Sequence, residues 1–251
     1  MGPFKPFRDL AWGLAARGVA VLRFEKRTRA HAGRMAGSMA LTVKEEVLDD
    51  AAAAIALLGQ TREADPRRIY VVGHSLGGQL AAVIAAASPP VAGIVMMAAP
   101  ARPVEELLEA QSKFLRKVAG NNPDAVKYTD AIEAAARKLR AMTTDTREMV
   151  LGAPSAYWLD LRRYDPLRET AGFARPILLM QGGRDYKVTM DDFAIWKKAL
   201  AGKPKAAFRD YPMLTHEFVT GDGPGQVAVP VLDDLASWIK AGGAIAPAGN
   251  N

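Results

Sequence analysis

The sequence predicts an α/β fold: a mostly parallel sheet with helices on both faces, interrupted by an inserted all-helical cap. Three observations predict it. Short apolar runs at 69–72, 91–99 and 176–180, bounded by turn residues, read as buried strands. Stretches with helical spacing alternate with these runs, which is the pattern of a parallel sheet covered on both sides. Between the second and third runs, four helical stretches (104–118, 123–141, 144–151 and 155–164) follow one another without a strand. That block marks 101–170 as the cap and leaves 1–100 and 171–251 as the core.

Taken in order, 6–17 is a helix with Phe7, Leu10, Trp12, Leu14 and Ala15 available for a buried face and Gly18 as its stop. Residues 19–24 form a short apolar strand, and 25–39 a basic, glycine-containing loop. Thr42, with Glu45 three residues on, has the spacing of a capping box and starts a helix through the alanine block to Leu58. Asp65-Pro66 turns the chain into the strand 69–72, and the alanine-rich run 79–87 is helical until Ser88-Pro89-Pro90 breaks it. After the cap and the strand 176–180 come a helix over 191–200, a strand over 206–211 and a long loop over 212–225. The last helix covers 227–240, and 241–251 is a frayed tail.

Composition narrows the function classes. A chain of 251 residues, 49% apolar and 24% charged, is long enough for one large α/β domain with an insertion. It holds no cysteine, so disulfides and thiolate metal sites are excluded. His31, His74 and His216 lie far apart without metal-ligand spacing, and a metal centre is not expected. The net charge is +6, with basic residues scattered apart from Arg23, Lys26, Arg27, Arg29 and Arg34. No nucleic-acid motif accompanies them, so they read as a solvated face. No apolar run reaches the roughly 18 residues that span a membrane. The first residues lack the apolar core of a signal peptide, and Pro6 stands where a myristoylation motif needs Ser or Thr. A cytoplasmic chain without membrane or nucleic-acid partners is the expectation.

The motif with chemistry in it is Gly73-His74-Ser75-Leu76-Gly77, set between a buried strand and a helix. Strand, Gly-x-Ser-x-Gly, helix is the pattern of a nucleophile elbow, in which a strained turn lifts the serine oxygen clear of the backbone. A Cβ at Gly73 or Gly77 is expected to collide with the neighbouring strand or helix. The N–H of Leu76 would point into the site from the helix start and stabilise a developing oxyanion. The Gly-x-Gly-x-x-Gly spacing of nucleotide binding is absent.

Serine needs a base to take its proton. His216, in a loop after a strand, is the best placed imidazole. His74 adjoins the serine in sequence, so its side chain points away and reads as structural or as a pocket wall. His31 reads as solvated. Asp185, in the loop after 176–180, would accept from the far nitrogen of His216 and hold its tautomer. The rival aspartates suit local roles: Asp191 and Asp192 belong in a first helical turn, Asp165 precedes a proline in a turn, and Asp210 ends a strand. Ligands of parallel sheets bind beyond the carboxyl ends of the strands, which is where Ser75, Asp185 and His216 all fall. Tyr157, Trp158 and Leu161 share aromatic-apolar helical spacing; either they face the site and bind substrate, with His74, or they only pack the cap on the core. Met96, Met97 and Met142 read as core filler.

The order Ser75, Asp185, His216 is that of the α/β-hydrolases. Gly73-His74-Ser75-Leu76-Gly77-Gly78, Gln181-Gly182-Gly183-Arg184-Asp185-Tyr186-Lys187-Val188 and His216-Glu217-Phe218 resemble the elbow, acid loop and histidine loop of that superfamily. Lys5-Pro6-Phe7-Arg8-Asp9-Leu10, Val21-Leu22-Arg23-Phe24-Glu25-Lys26-Arg27 and Tyr157-Trp158-Leu159-Asp160-Leu161 resemble a bacterial group of serine esterases with a helical cap. The resemblance covers nearly the whole chain. It implies hydrolysis of small-molecule carboxylic esters through an acyl-enzyme, with no cofactor. It also implies a strand that comes before the helix at Pro6, lies in the sheet between 19–24 and 69–72 and ends in a loop with a second oxyanion donor. The resemblance begins after that strand, so the chain is expected to lack it. Three outcomes are then open: the strands close up, another subunit (a homo-oligomer) fills the gap, or the chain is a fragment. The rival function is a folded binding or assembly module, catalytically impaired because the oxyanion hole is incomplete.

Overall fold

The computed structural model describes residues 5–35, 37–88, 90–221 and 225–244. It opens with α1 (Pro6–Ala15), two short helices, α2 (Arg27–Ala30) and α3 (Ala32–Met35), and then a π-helical turn at Lys44–Leu48 that runs into α4 (Asp49–Gln60). The expected capping box is formed: the Thr42 N–H donates to Glu45 Oε2 at 3.0 Å, and the Glu45 N–H to Thr42 Oγ1 at 3.4 Å. Next come β1 (Ile69–His74), α5 (Leu76–Gln79), α6 (Ala81–Ala86) and β2 (Val91–Met97). The following block holds α7 (Val104–Ala119), α8 (Pro123–Ala141), β3 (Met149–Val150), β4 (Ala153–Pro154), α9 (Ser155–Leu161) and α10 (Pro166–Gly172). The chain closes with β5 (Ile177–Gly182), α11 (Met190–Ala199), β6 (Ala206–Tyr211) and α12 (Val229–Lys240). The proline break of 88–90 and the tail of 241–251 lie partly outside the described residues.

Among the described residues, four strands form a parallel sheet in the order β1-β2-β5-β6. Its side chains alternate as the pleat requires. Ile94, Met96, Ile177 and Leu179 face α4, α6 and α11 on one side, with Ile55, Ala81, Phe193 and Trp196. Val95, Met97, Leu178 and Met180 face α1 and α12 on the other, with Leu10, Leu14, Val231 and Leu235. Runs without a polar break, such as 94–97, are thus strands buried on both faces. Met96 and Met97 fill this core, and Met142 sits in a separate cluster with Leu108, Ile132 and Leu139 from α7 and α8.

Two expectations about elements are corrected. The stretch 144–151 is not helical, so the inserted block is not all-helical: β3 and β4 form a hairpin, with Val150 opposite Ala153. Leu151 and Gly152 both take positive φ, 49° and 80°, which is the backbone of a two-residue hairpin turn and incompatible with a helix. The second correction concerns 19–24, which pairs with no strand among the described residues. A strand needs a neighbour for its backbone hydrogen bonds, and the nearest, β1, lies across a groove of about 450 Å³. Val19–Arg23 line one side of this groove and Ile69, Tyr70 and Val72 the other, with Leu10 and Leu14 also lining it. The strands have therefore not closed up, and β1 is the edge of the sheet.

Amide hydrogen exchange should rank the strands accordingly. The amides of β2 and β5, paired on both edges, are expected to exchange slowest, and the groove-facing amides of β1 markedly faster. Uniform protection along both edges of β1 would contradict an open edge.

Candidate active site

The elbow is built as a strained turn. Ser75 follows β1 with φ 55° and ψ −121°, a conformation costing a non-glycine residue about 1–3 kcal/mol, which the surroundings must hold in place. They do so through the Ser75 N–H, which donates to Met97 O at 2.9 Å at the end of β2. Gly73 is required as expected: a Cβ there would stand 2.1 Å from Gly77 O. The expectation for Gly77 is corrected, because a Cβ on it meets nothing within 4 Å. The turn brings the Gly77 carbonyl, and not its Cα, against Gly73. Gly78 carries the second close approach, to Ala99 Cβ at 2.9 Å. The Leu76 N–H opens the short helix α5 and has no acceptor among the described residues.

Asp185 and His216 arrive from the loops after β5 and β6. The His216 Nδ1–H donates to Asp185 Oδ2 at 2.7 Å, and both side chains are buried. The other oxygen, Oδ1, accepts the N–H groups of Lys187 at 2.8 Å and Val188 at 2.9 Å. None of the rival aspartates meets an imidazole. Asp165 caps α10 by accepting from Leu167 and Arg168 N–H. Asp192 completes a capping box with Thr189 and takes the Arg102 guanidinium at 2.6 Å. Asp191 lies in the first turn of α11, and Asp210 lies in β6.

Ser75 and His216 open into one pocket of about 230 Å³, though their side chains are not hydrogen-bonded to each other. Such contacts are often long until substrate arrives. Leu76, Tyr157, Trp158 and Leu161 line the same pocket, with Val104, Leu107, Leu108 and Gln111 of α7 and with Gln79, Pro100, Lys187 and Val188. The pocket wall is mainly apolar. At its rim Lys187 Nζ meets Glu217 Oε1 at 2.6 Å; burial works to raise the Glu217 carboxyl, but the ammonium together with His216 and a backbone donor lowers it, and the net shift is downward. No group of three or more His, Asp or Glu fit to hold a metal exists among the described residues.

His74 is not among the pocket-lining residues, which corrects its assignment to substrate binding. It lies behind the site, where its Nε2–H donates to the backbone O of His216 at 2.8 Å and its ring packs against Phe7, His216 and Phe218. Burial, then the neighbouring His216, lower its pKa to about 4. His31 is exposed and contacts Arg34. Other members of the basic run are engaged with acids: Arg27 with Asp50, Lys26 with Glu46 and Arg29 with Glu25.

The order of these loops along a parallel sheet can be compared with known proteins. Residues 4–222 match the family described as serine aminopeptidase, S33. The chain belongs to that family. Esterase EstD of Thermotoga maritima is 38% identical to this S33-family chain over 248 residues, which are 95% of the chain and 58% of EstD. The chain thus spans little more than half the length of that relative. The esterase domain of a Rhodothermus marinus protein superposes with a TM-score of 0.57 at 20% identity, over 94% of this chain and 80% of that one. Est1E of Butyrivibrio proteoclasticus, solved with ferulic acid bound, does so with a TM-score of 0.61 at 15% identity, over 95% and 82%. At these identities the likeness is one of fold, and the fold is that of the α/β-hydrolases. No described helix is long and apolar enough to cross a membrane.

Two measurements test this geometry. Gly73→Ala should lower the unfolding free energy by about 1–3 kcal/mol in urea melts, since its methyl must displace the Gly77 backbone; Gly77→Ala should cost much less. His74 gives a pH dependence. A histidine held neutral when folded contributes stability that is whole above its unfolded pKa of about 6.5. That stability is lost as pH falls towards the folded value of about 4. Stability should decline across this window, and the decline should shrink in His74→Gln; equal slopes in both proteins would refute the assignment.

Proposed function

We propose that this chain is a serine hydrolase that cleaves carboxylic esters of small molecules through an acyl-enzyme, with Ser75, His216 and Asp185 as its triad. The observation that carries the reading is the buried Asp185–His216 hydrogen bond of 2.7 Å, whose imidazole lines the same pocket as the strained Ser75. Ser75 Oγ attacks the ester carbonyl carbon while His216 Nε2 takes its proton. The oxyanion that forms is held by the Leu76 N–H. Collapse of the tetrahedral intermediate expels the alcohol, which receives the proton from His216, and leaves an ester on Ser75. Water then repeats the sequence and releases the acid. Asp185 keeps the Nδ1–H tautomer and stabilises the imidazolium. The reaction as written uses no cofactor. EstD, named an esterase, supports the substrate class.

Residues 101–170 act in this reading as the cap. Leu107 and Leu108 of α7 and Tyr157, Trp158 and Leu161 of α9 make the apolar wall for the acyl group. A pocket of about 230 Å³ is below the usual 300–1,000 Å³ of ligand pockets, so it suits a short acyl chain.

Intact-mass labelling with a fluorophosphonate tests the triad without requiring the right substrate. One adduct is expected on the wild-type protein and none on Ser75→Ala or His216→Ala. In an ester series, kcat/KM should rise about fourfold per methylene while the chain still fits the wall, then fall. A folded wild-type protein that takes no adduct would sink the esterase reading. It would favour a binding or assembly module, for which the open edge of β1 is the structural motive.

A further inference from the structure

Resting on the triad reading above, we infer that Gln181 is a positioning residue: its carboxamide holds the Asp185 oxygen that bonds His216. Gln181 is a polar side chain at a fully buried position of β5, only 2% exposed. Burying an amide there is costly unless its hydrogen bonds are made. Its Nε2 lies 2.8 Å from Val188 O, 3.2 Å from Asp185 Oδ2 and 3.2 Å from Gly182 O. All three neighbours are acceptors, so the amide nitrogen, not the oxygen, faces them.

The consequence lies in the carboxylate. An ionised Asp has about four lone-pair sites. Two on Oδ1 take the N–H groups of Lys187 and Val188, and two on Oδ2 take His216 Nδ1–H and Gln181 Nε2–H. With every site occupied, rotating the carboxylate breaks several bonds at once, so Oδ2 stays aimed at the imidazole. The Gln181 donor also draws charge from the atom that faces Nδ1–H, which sets how strongly Asp185 favours the imidazolium. The second contact, to Val188 O, ties the acid loop to its own strand and keeps the carboxamide from turning away.

The test has one reading on the wild-type protein and one on a variant. With ¹⁵N-labelled glutamine, the Gln181 side-chain N–H resonances of the wild type should shift as pH is taken through the protonation of His216; resonances that stay flat would overturn the inference. In Gln181→Met, of similar volume but without donors, kcat should fall about tenfold with KM nearly unchanged. The acidic limb of its pH–rate profile should move upward, because Oδ2 regains the charge the amide had drawn. A role confined to bracing the acid loop would lower the melting temperature and leave the profile where the wild type has it, and that outcome refutes positioning. The resonance reading needs no turnover. Gln181 resonances that follow His216 in a protein taking no fluorophosphonate adduct would separate failure of the triad reading from failure of this one.

Discussion

The site hangs on one backbone constraint: the turn between β1 and α5 closes only because Gly73 presents no side chain to the Gly77 carbonyl, 2.1 Å from where a Cβ would stand. That approach tips Ser75 to positive φ and turns its side chain out of the sheet, while its N–H stays tied to Met97 at the end of β2. Gly78 then seats the helix start on Ala99. The strain is tolerable because the turn is tied to the end of β2, a strand buried on both faces. A looser sheet would let the turn relax and lose the serine's direction.

The other two loops inherit their places from the same sheet. β2, β5 and β6 run parallel and in register, so the chain leaves β5 and β6 at the edge where it leaves β1. Asp185 and His216 therefore leave their strands at one edge of the sheet, close enough to meet. Around this pair the protein builds a dense set of donors from Lys187, Val188 and Gln181, and a neutral His74 braces the backbone of His216 from behind. The many hydrogen bonds at the pair contrast with the open edge of β1, where a groove of about 450 Å³ separates it from residues 19–23.

Much of this was legible because each signal was local. The elbow sits in five consecutive residues, and the Thr42–Glu45 capping box in four. Asp185 could be picked from its rivals because Asp165, Asp191 and Asp192 carried helix-start or turn signatures, and each of the three sits at a helix start in the structure. The misreadings were of things a chain cannot show locally. Residues 144–151 have helical composition, but Leu151-Gly152 takes a two-residue hairpin turn in which both φ are positive. Residues 19–24 have the apolar content of a strand but no partner. For His74 the expectation that its side chain points away from the serine agrees with its contacts to Phe7 and Phe218, and only its alternative place in the substrate pocket is corrected.

What the sequence determined by itself is the alternation of buried strands and helices, the strained serine turn and the order of the three side chains, because periodicity and glycine placement act over a few residues. Tertiary structure alone decided which face of α7 walls the pocket and which buried amide holds Asp185. It also decided that β1 ends the sheet. The stripe Val104, Leu107, Leu108, Gln111 is visible as one helical face, but a face says nothing of its neighbour. Contacts between segments far apart in the chain depend on how the layers pack, and no local pattern encodes them.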